Sequence, residues 1–199
     1  MARRKVEVRR EEILAAAEAE VTRRGFARTR VADVAEALGV STALIFYHFG
    51  TKEKLFAEAL EHAVERDLAR LDDAAAKAGD PVDGVRRMLR LWSPQGNANG
   101  WTVWVDAWAE SLREPEMRAM SRRLDVRWKE ALADQIVRGN EAGLFRCADP
   151  EAAAWRLSAL LDGLAVQVMV HRNLTKKQLA VWVRGAAAQE LGVEASVLA

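Results

Sequence analysis

The chain has 199 residues, half of them hydrophobic, and 30 Lys and Arg against 29 Asp and Glu leave a formal net charge of +1. Such a composition builds a packed core and excludes a disordered chain; sparse glycine and proline amid abundant alanine, leucine, arginine and glutamate favour helix throughout. The single cysteine, Cys147, excludes a disulfide framework and points to a reducing cytoplasm. No uninterrupted apolar run approaches the roughly 20 residues that span a bilayer, and no apolar stretch follows the charged N-terminus as in a signal peptide, so a soluble, cytoplasmic protein without a membrane partner is expected.

The first ten residues crowd Arg3, Arg4, Lys5, Arg9 and Arg10 against Glu7 alone. Such an arm suits phosphates, and equally a solvated tail. Helical spacing of Ile13, Leu14, Ala17 and Val21 predicts a first helix over about 9–24, ended by Gly25. A second helix is expected over about 30–38, burying Val31, Val34, Ala35 and Leu38. After a turn at Gly39-Val40-Ser41, Ser41 caps a third through about Phe49. Thr51 caps a long fourth helix, about 52–77, with Leu55, Phe56, Leu60, Val64, Leu68 and Leu71 along one side. Gly79-Asp80-Pro81 is a strong start signal, with Asp at the N-cap and Pro at the first helical position. That fifth helix runs to about Trp92, and residues 93–99 form a loop. A sixth helix carries Trp101, Trp104 and Trp108. Glu114-Pro115 opens a seventh, closed near Gly143, and Asp149-Pro150 opens the eighth. Thr175 caps the last, which fades after Leu191. The expected fold is all-α with nine helices, no strand and no internal repeat.

Residues 25–55 hold the informative motif. Two short helices joined by a turn at Gly39 form a helix-turn-helix; glycine accepts the positive φ of the reversal. Ile45 and Phe49, four apart, share the inward face of the third helix. Thr42, Ala43, Phe46 and Tyr47 are left at its flanks and outside. Two outward aromatics suit a major groove, where apolar atoms meet thymine methyls.

Gly25-Phe26, then residues 34–41 (VAEALGVS), then residues 47–55 (YHFGTKEKL) resemble the N-terminal signature of the TetR family of repressors. The resemblance implies a dimer with its recognition helices in successive major grooves, roughly 34–36 Å apart on DNA, and an effector pocket in the C-terminal domain. It implies that Thr42, Ala43 and Phe46 face base edges and that Tyr47, His48, Lys52 and Arg30 touch phosphates. Lys52 opens a helix, whose N-terminus also favours phosphate. The chain departs from many members at Phe46 (commonly tyrosine), Ala43 (commonly glycine) and Leu44 (commonly polar). Phe46 cannot donate a hydrogen bond, so its contact must be apolar, and these changes alter which operator is read. The expected organisation is a DNA-binding domain over 1–50 and an effector-binding and dimerisation domain over 51–199.

All seven tryptophans lie between Trp92 and Trp182. Trp101, Trp104 and Trp108 fall at i, i+3 and i+7 and share one helix face. On the eighth helix Trp155, Ser158, Asp162, Val166 and Met169 share a face opposite Leu157, Leu160, Leu161, Leu164 and Val168. A helix apolar on both sides must be covered on both. The last helix, with Leu179, Trp182, Val183 and Ala186, is its natural companion in an intersubunit four-helix bundle. Asp162 on a mostly apolar face needs a partner, and aromatic walls with a carboxylate can hold a cation. Residues 91–101 and 160–164 are also similar to the choline-responsive betaine-pathway branch of the family. Trp101, Trp104, Trp108 and Asp162 are thus candidate effector residues for a quaternary ammonium or polyamine; the same pattern also fits plain core packing. Gly163, about 1 kcal/mol worse than alanine within a helix, suggests close packing or room for a ligand.

His48, His62 and His171 are too scattered for a metal site by local spacing. No phosphate-cradling loop or nucleophile elbow occurs, so neither cofactor nor catalysis is expected. The expected protein is a repressor that a small, possibly cationic or amphipathic effector releases from a palindromic operator, with coupling through the fourth helix. A helical protein that sequesters a hydrophobic ligand without DNA is the competing reading, with an enzyme last.

Overall fold

The computed structural model describes residues 2–76, 80–94 and 99–198, with side chains described at 10–65, 69, 80–94 and 100–198. Among them no strand occurs. The helices are α1 (Ala2–Arg24), α2 (Val31–Leu38), α3 (Thr42–Phe49), α4 (Lys52–Ala76), α5 (Pro81–Trp92), α6 (Asn99–Ser111), α7 (Pro115–Glu141), α8 (Pro150–Val166) and α9 (Lys176–Leu191). A π-helical turn (Gln167–His171) continues α8, and a 3₁₀ turn (Ala195–Leu198) follows α9.

Local chemistry sets most of these ends. Ser41 Oγ accepts from the Leu44 amide at 3.3 Å, and Thr51 Oγ1 from the Lys54 amide at 3.2 Å. The Asp80 and Asp149 carboxylates accept from the Asp83 and Ala152 amides at 2.9 and 3.0 Å, each with proline at the first helical position. Thr175 and Gln178 form a reciprocal capping box. One boundary differs from expectation. α1 begins at Ala2 rather than near Arg9, because residues 2–9 contain no glycine or proline to stop a helix. The side chains of Arg3, Arg4, Lys5 and Arg9, Leu68 and Leu71, together with Gly79 and positions 95–98 of the expected loop, lie outside the described residues.

The chain forms two compact units, Met1–Arg66 with Thr102–Leu124 and Asp67–Trp101 with Asp125–Ala199, whose boundaries fall inside α4, α6 and α7. In the first unit, Ile13, Ala17 and Val21 of α1, Val34 of α2, Ile45 of α3 and Leu55 and Leu60 of α4 are buried together with Val103, Ala107 and Leu124. Phe26 packs edge-on against Phe56, 6.1 Å between ring centroids. The Phe26 amide donates to the Asp106 carboxylate of α6, which satisfies a backbone N–H just beyond the end of α1. The ion pair of Arg10 with Glu58 and the hydrogen bond between Glu18 and His62 join α1 to α4, and the ion pair of Arg123 with Glu61 joins α7 to α4.

In the second unit Val85 and Met88 of α5, Leu132 and Ile136 of α7, Leu157 and Leu161 of α8 and Leu179 and Val183 of α9 are buried. Asn140 holds the segment before α8 through its side-chain amide, Nδ2 donating to the Cys147 carbonyl at 2.8 Å and Oδ1 accepting from the Cys147 amide at 3.0 Å. The Cys147 thiol is buried. Arg156 of α8 grips Glu190 of α9 in a bidentate pair, at 2.6 and 2.5 Å. With its π-helical extension, α8 runs 22 residues at mean hydropathy 1.3, long and apolar enough by length and composition to cross a membrane. Arg156 and Asp162 interrupt the apolar run, but the unbroken helix averages over them. The inward residues of α8 pack in the unit's core, and a core helix passes the same length and hydropathy criterion.

Two glycines separate strain from space. Gly39 has φ +62° with nothing within 4 Å of an added Cβ, whereas a Cβ on Gly139 would lie 1.9 Å from the ring of Phe145. Gly39→Ala should therefore lose about 1–2 kcal/mol of stability, from the left-handed backbone alone. Gly139→Ala should lose more, about 3 kcal/mol, because a buried ring must move. Urea unfolding of the two variants measures both, and equal losses would show that the Phe145 contact yields without strain.

Candidate nucleic-acid interface and effector cluster

With only eight residues, α3 is too short to hold its shape unaided. Ser41 caps it, and Ile45 and Phe49, 1% and 4% exposed, anchor it in the first unit. Since a residue's position around the helix follows from that anchor, Thr42, Ala43, Phe46 and Tyr47 all stand in solvent. Phe46 is 43% and Tyr47 79% exposed, unusual for aromatic rings without a ligand. His48 is half-buried, its ring edge-on to Tyr47 at 5.5 Å and tilted against Phe49 at 6.3 Å. Arg10 also stacks on the Phe49 ring, its guanidinium 4.8 Å from the centroid, so the back of α3 is braced by a cation.

Flanking groups surround this face in sequence. Arg30, exposed, is the N-cap residue of α2, where its own amide donates to Asp33 at 2.8 Å. Lys52 is exposed as the first residue of α4, with Nζ 5.5 Å from the centroid of Phe56. A cation at a helix N-terminus is suited to an anion. A short recognition helix, an apolar and phenolic outer face and flanking cations together define a helix-turn-helix DNA-binding module.

Of the candidate effector residues, the structure separates some and gathers others. Trp104 and Trp108 belong to the first unit, half-buried, with rings 6.1 Å apart. Trp101 is buried, and its indole N–H donates to the Trp92 carbonyl at 2.7 Å. The Trp92 indole N–H is in turn the donor to the Asp162 carboxylate, while the Trp92 ring lies 4.9 Å from that of Trp128. Asp125 and Lys129, one turn apart on α7, form an ion pair, and Lys129 Nζ sits 4.4 Å from the centroid of Trp155. Four tryptophans, two carboxylates and one ammonium thus form one connected cluster around Asp162, all within the second unit. Burial, and then the negative charge of Asp125, push the Asp162 carboxyl up to about 6; Lys129 and the Trp92 N–H act against the rise.

Trp92, Asp125, Trp128, Lys129 and Trp155 were not among the residues singled out for an effector. The spacing of Asp125 and Lys129 identifies a helical ion pair, but their meeting with α5 and α8 has no signature in local periodicity. Gly163, beside Asp162, has nothing within 4 Å of an added Cβ, so it makes no close helix contact within the chain. Among the described residues no group of three or more metal-ligating side chains occurs.

Known proteins resemble the chain over both its N-terminal and its C-terminal parts. Residues 13–59 match the family model for bacterial regulatory proteins of the tetR family, and residues 81–192 the model for the C-terminal part of BetI-type transcriptional repressors. The HTH-type transcriptional regulator BetI of Stenotrophomonas maltophilia is 31% identical over 164 residues, 79% of each chain; that of Paraburkholderia xenovorans is 29% identical over 170 residues, 79% of this chain and 80% of that one. Among solved structures, a transcriptional regulator from Saccharomonospora viridis in complex with choline superposes with a TM-score of 0.80 at 32% identity, covering 90% of this chain and 95% of that one. A TetR-family regulator from Rhodococcus sp. gives 0.79 at 27% identity, covering 92% and 98%. The chain belongs to the TetR family, in its branch with a BetI-type C-terminal domain. It is a DNA-binding transcriptional regulator of a repressor family, not of a family of enzymes.

The raised Asp162 carboxyl has a sign that can be checked. Between its unfolded value of 3.8 and about 6 the folded chain holds more protons than the unfolded one, so stability falls as pH rises through that window. At roughly 1.4 kcal/mol per pH unit the full penalty above it is on the order of 3 kcal/mol. Asp162→Asn should therefore leave stability near pH 3.5 unchanged and raise it by about 1–3 kcal/mol above pH 6.5. Thermal unfolding at both pH values tests this; a loss at the higher pH would mean that the ionised carboxylate is stabilising.

Proposed function

We propose that the protein is a homodimeric repressor that a small cationic effector releases from a palindromic operator. Thr42, Ala43 and Phe46 would read base edges, and Arg30, Tyr47, His48 and Lys52 would hold phosphates. The observation that carries the DNA assignment is the outer face of α3: two exposed aromatics kept outward by buried Ile45 and Phe49. Phe46 offers only apolar contact, the kind a thymine methyl accepts. Residues 1–50 would bind DNA, and residues 51–199 would bind effector and dimerise.

The dimer would form through α8 and α9. Trp155 and Val181 are 49% and 46% exposed, Val170 and Trp182 53% and 52%, on one isolated chain. Gly163 and Gly185, with open space at their Cβ positions, leave room for a second subunit's helices. A two-fold pairing of these faces is self-complementary, which a palindromic operator mirrors.

Asp162 and Trp101 of the effector set meet in the tryptophan–carboxylate cluster, where an organic cation would find ring faces and a counter-charge. The structural relative in complex with choline supports that class of ligand. Trp104 and Trp108 remain part of the proposed set through their place on the same helix as Trp101. Effector binding would shift the population between DNA-competent and incompetent forms, with α4 carrying the change because it starts at Lys52 and enters the second unit. A regulator of this kind works in the cytoplasm, without metal or cofactor.

The decisive experiment is binding of the purified protein to its own upstream intergenic DNA across a salt series. Selective binding that weakens steeply with salt is expected. Lys52→Ala should weaken it about three- to tenfold on every sequence and lower the salt slope by about 1. Weak binding, equal on all sequences and unmoved by the substitution, would favour a helical ligand-sequestering protein instead. Trp182→Glu should give a monomer in analytical ultracentrifugation and abolish operator binding; a dimer that persists would place the subunit contact elsewhere.

A further inference from the structure

The second unit also holds a cleft of about 160 Å³ between α5, α9 and the 3₁₀ turn that follows α9, and none of its described lining residues belongs to the tryptophan–carboxylate cluster. Arg86, Leu89 and Arg90 fall at i, i+3 and i+4 and line it from one stripe of α5; Ala180, Val183 and Arg184 repeat that spacing on α9. Leu198 of the turn completes the lining. Leu89, Val183 and Leu198 are buried and make the apolar part of the cleft, while three arginines bring guanidinium groups to it from two helices. Val181 and Trp182 stand on the other side of α9, so the proposed dimer contact does not draw on this cleft. Arg86 is oriented in advance: its Nη2 donates to the Val197 carbonyl at 2.8 Å, which ties α5 to the turn. Its Nε is shielded from water and has no hydrogen-bond partner among the described residues. A guanidinium held in that state has lost hydration without full replacement, and an acceptor placed beside it offsets the loss.

We infer that this cleft is a second ligand site, for a small organic carboxylate: Arg86 and Arg184 take the carboxylate, and the apolar body lies on Leu89, Val183 and Leu198. Cations that line one cleft repel one another, and an anion set among them relieves the repulsion. A carboxylate presents the planar pair of oxygens that a guanidinium fork matches bidentately. A bare inorganic anion would leave the apolar part of the cleft uncovered. The volume is close to that of a cavity, roughly 150 Å³, that holds a benzene ring, so the body is a single ring or a short chain. The site is independent of the cationic-effector reading, with which it shares no residue.

The test is calorimetric titration of the full chain with sodium benzoate at constant ionic strength, with acetate, benzamide and inorganic phosphate for comparison. Benzoate should bind about tenfold tighter than acetate, which lacks the apolar body, and about tenfold tighter than benzamide, which lacks the charge. Phosphate should bind more weakly than benzoate. Arg184→Gln should weaken benzoate about tenfold. Arg86→Lys, which keeps the charge and loses the planar fork, should weaken it about threefold or more. No benzoate binding at millimolar concentration overturns the inference, and so does binding that Arg184→Gln leaves unchanged, since the ligand then sits elsewhere. Benzamide equal to benzoate removes the role of the arginines, and phosphate equal to benzoate removes the organic class. Should Arg86→Lys fail to fold because the tie to Val197 is lost, Arg184→Gln, at a half-buried position outside that tie, decides between the same outcomes.

Discussion

The burial of Ile45 and Phe49 is the constraint on which the DNA-reading face depends. A helix of eight residues is marginal in water, and α2 is no longer than α3. Neither persists on its own propensity. Each is held because its inward residues complete a core supplied by α1, α4 and the first turns of α7. Once two positions four apart are pinned inward, rotation about the helix axis is lost, and the other side chains are aimed without further cost. Phe46 and Tyr47 are exposed for that reason rather than through any contact of their own. Gly39, with positive φ, then sets the angle at which α2 hands the chain to α3.

The second unit is governed by charge rather than by shape. An apolar interior tolerates ions only in compensated sets, and among the described residues Lys129 and Asp125 form such a set. Lys129 and Asp125 close on each other across one helical turn. Asp162 is left with an indole N–H and a raised proton affinity. Such a frustrated carboxylate lowers the stability of the empty protein and is a recurrent mark of a binding site.

α8 serves two surroundings at once. Leu157 and Leu161 lie in the unit's core, while Trp155 is half exposed on the other side. The helix ends in a π-helical turn at Gln167–His171 and then in Arg172, whose φ of 55° is the left-handed conformation. Single π turns of this kind rotate the residues that follow and are common beside functional sites. Here the turn re-aims the chain between Asp162 and the capping box that starts α9. Its hydropathy resembles that of a membrane helix because both its faces are apolar, and a helix apolar on both faces requires a partner on each.

What the sequence determined by itself is local. Ser41, Thr51, Asp80, Asp149 and Thr175 announce helix starts because a cap is made within three residues of chain, and each makes its bond in the structure. The inward spacing of α3, and with it the outer face, follows equally from periodicity. The first helix was underestimated because charged residues carry no hydrophobic period, although nothing in them stops a helix. The effector cluster was only half legible. Asp162 stood out as a carboxylate on an apolar face, and the three regularly spaced tryptophans of α6 drew attention by their pattern. Only the tertiary structure decided that Trp101 joins the cluster through Trp92, and that Asp125 and Lys129 act on Asp162. Those partners lie on α5, α6 and α7, dozens of residues before Asp162 in the chain. The raised proton affinity of Asp162 exists only once folding has removed water from around it.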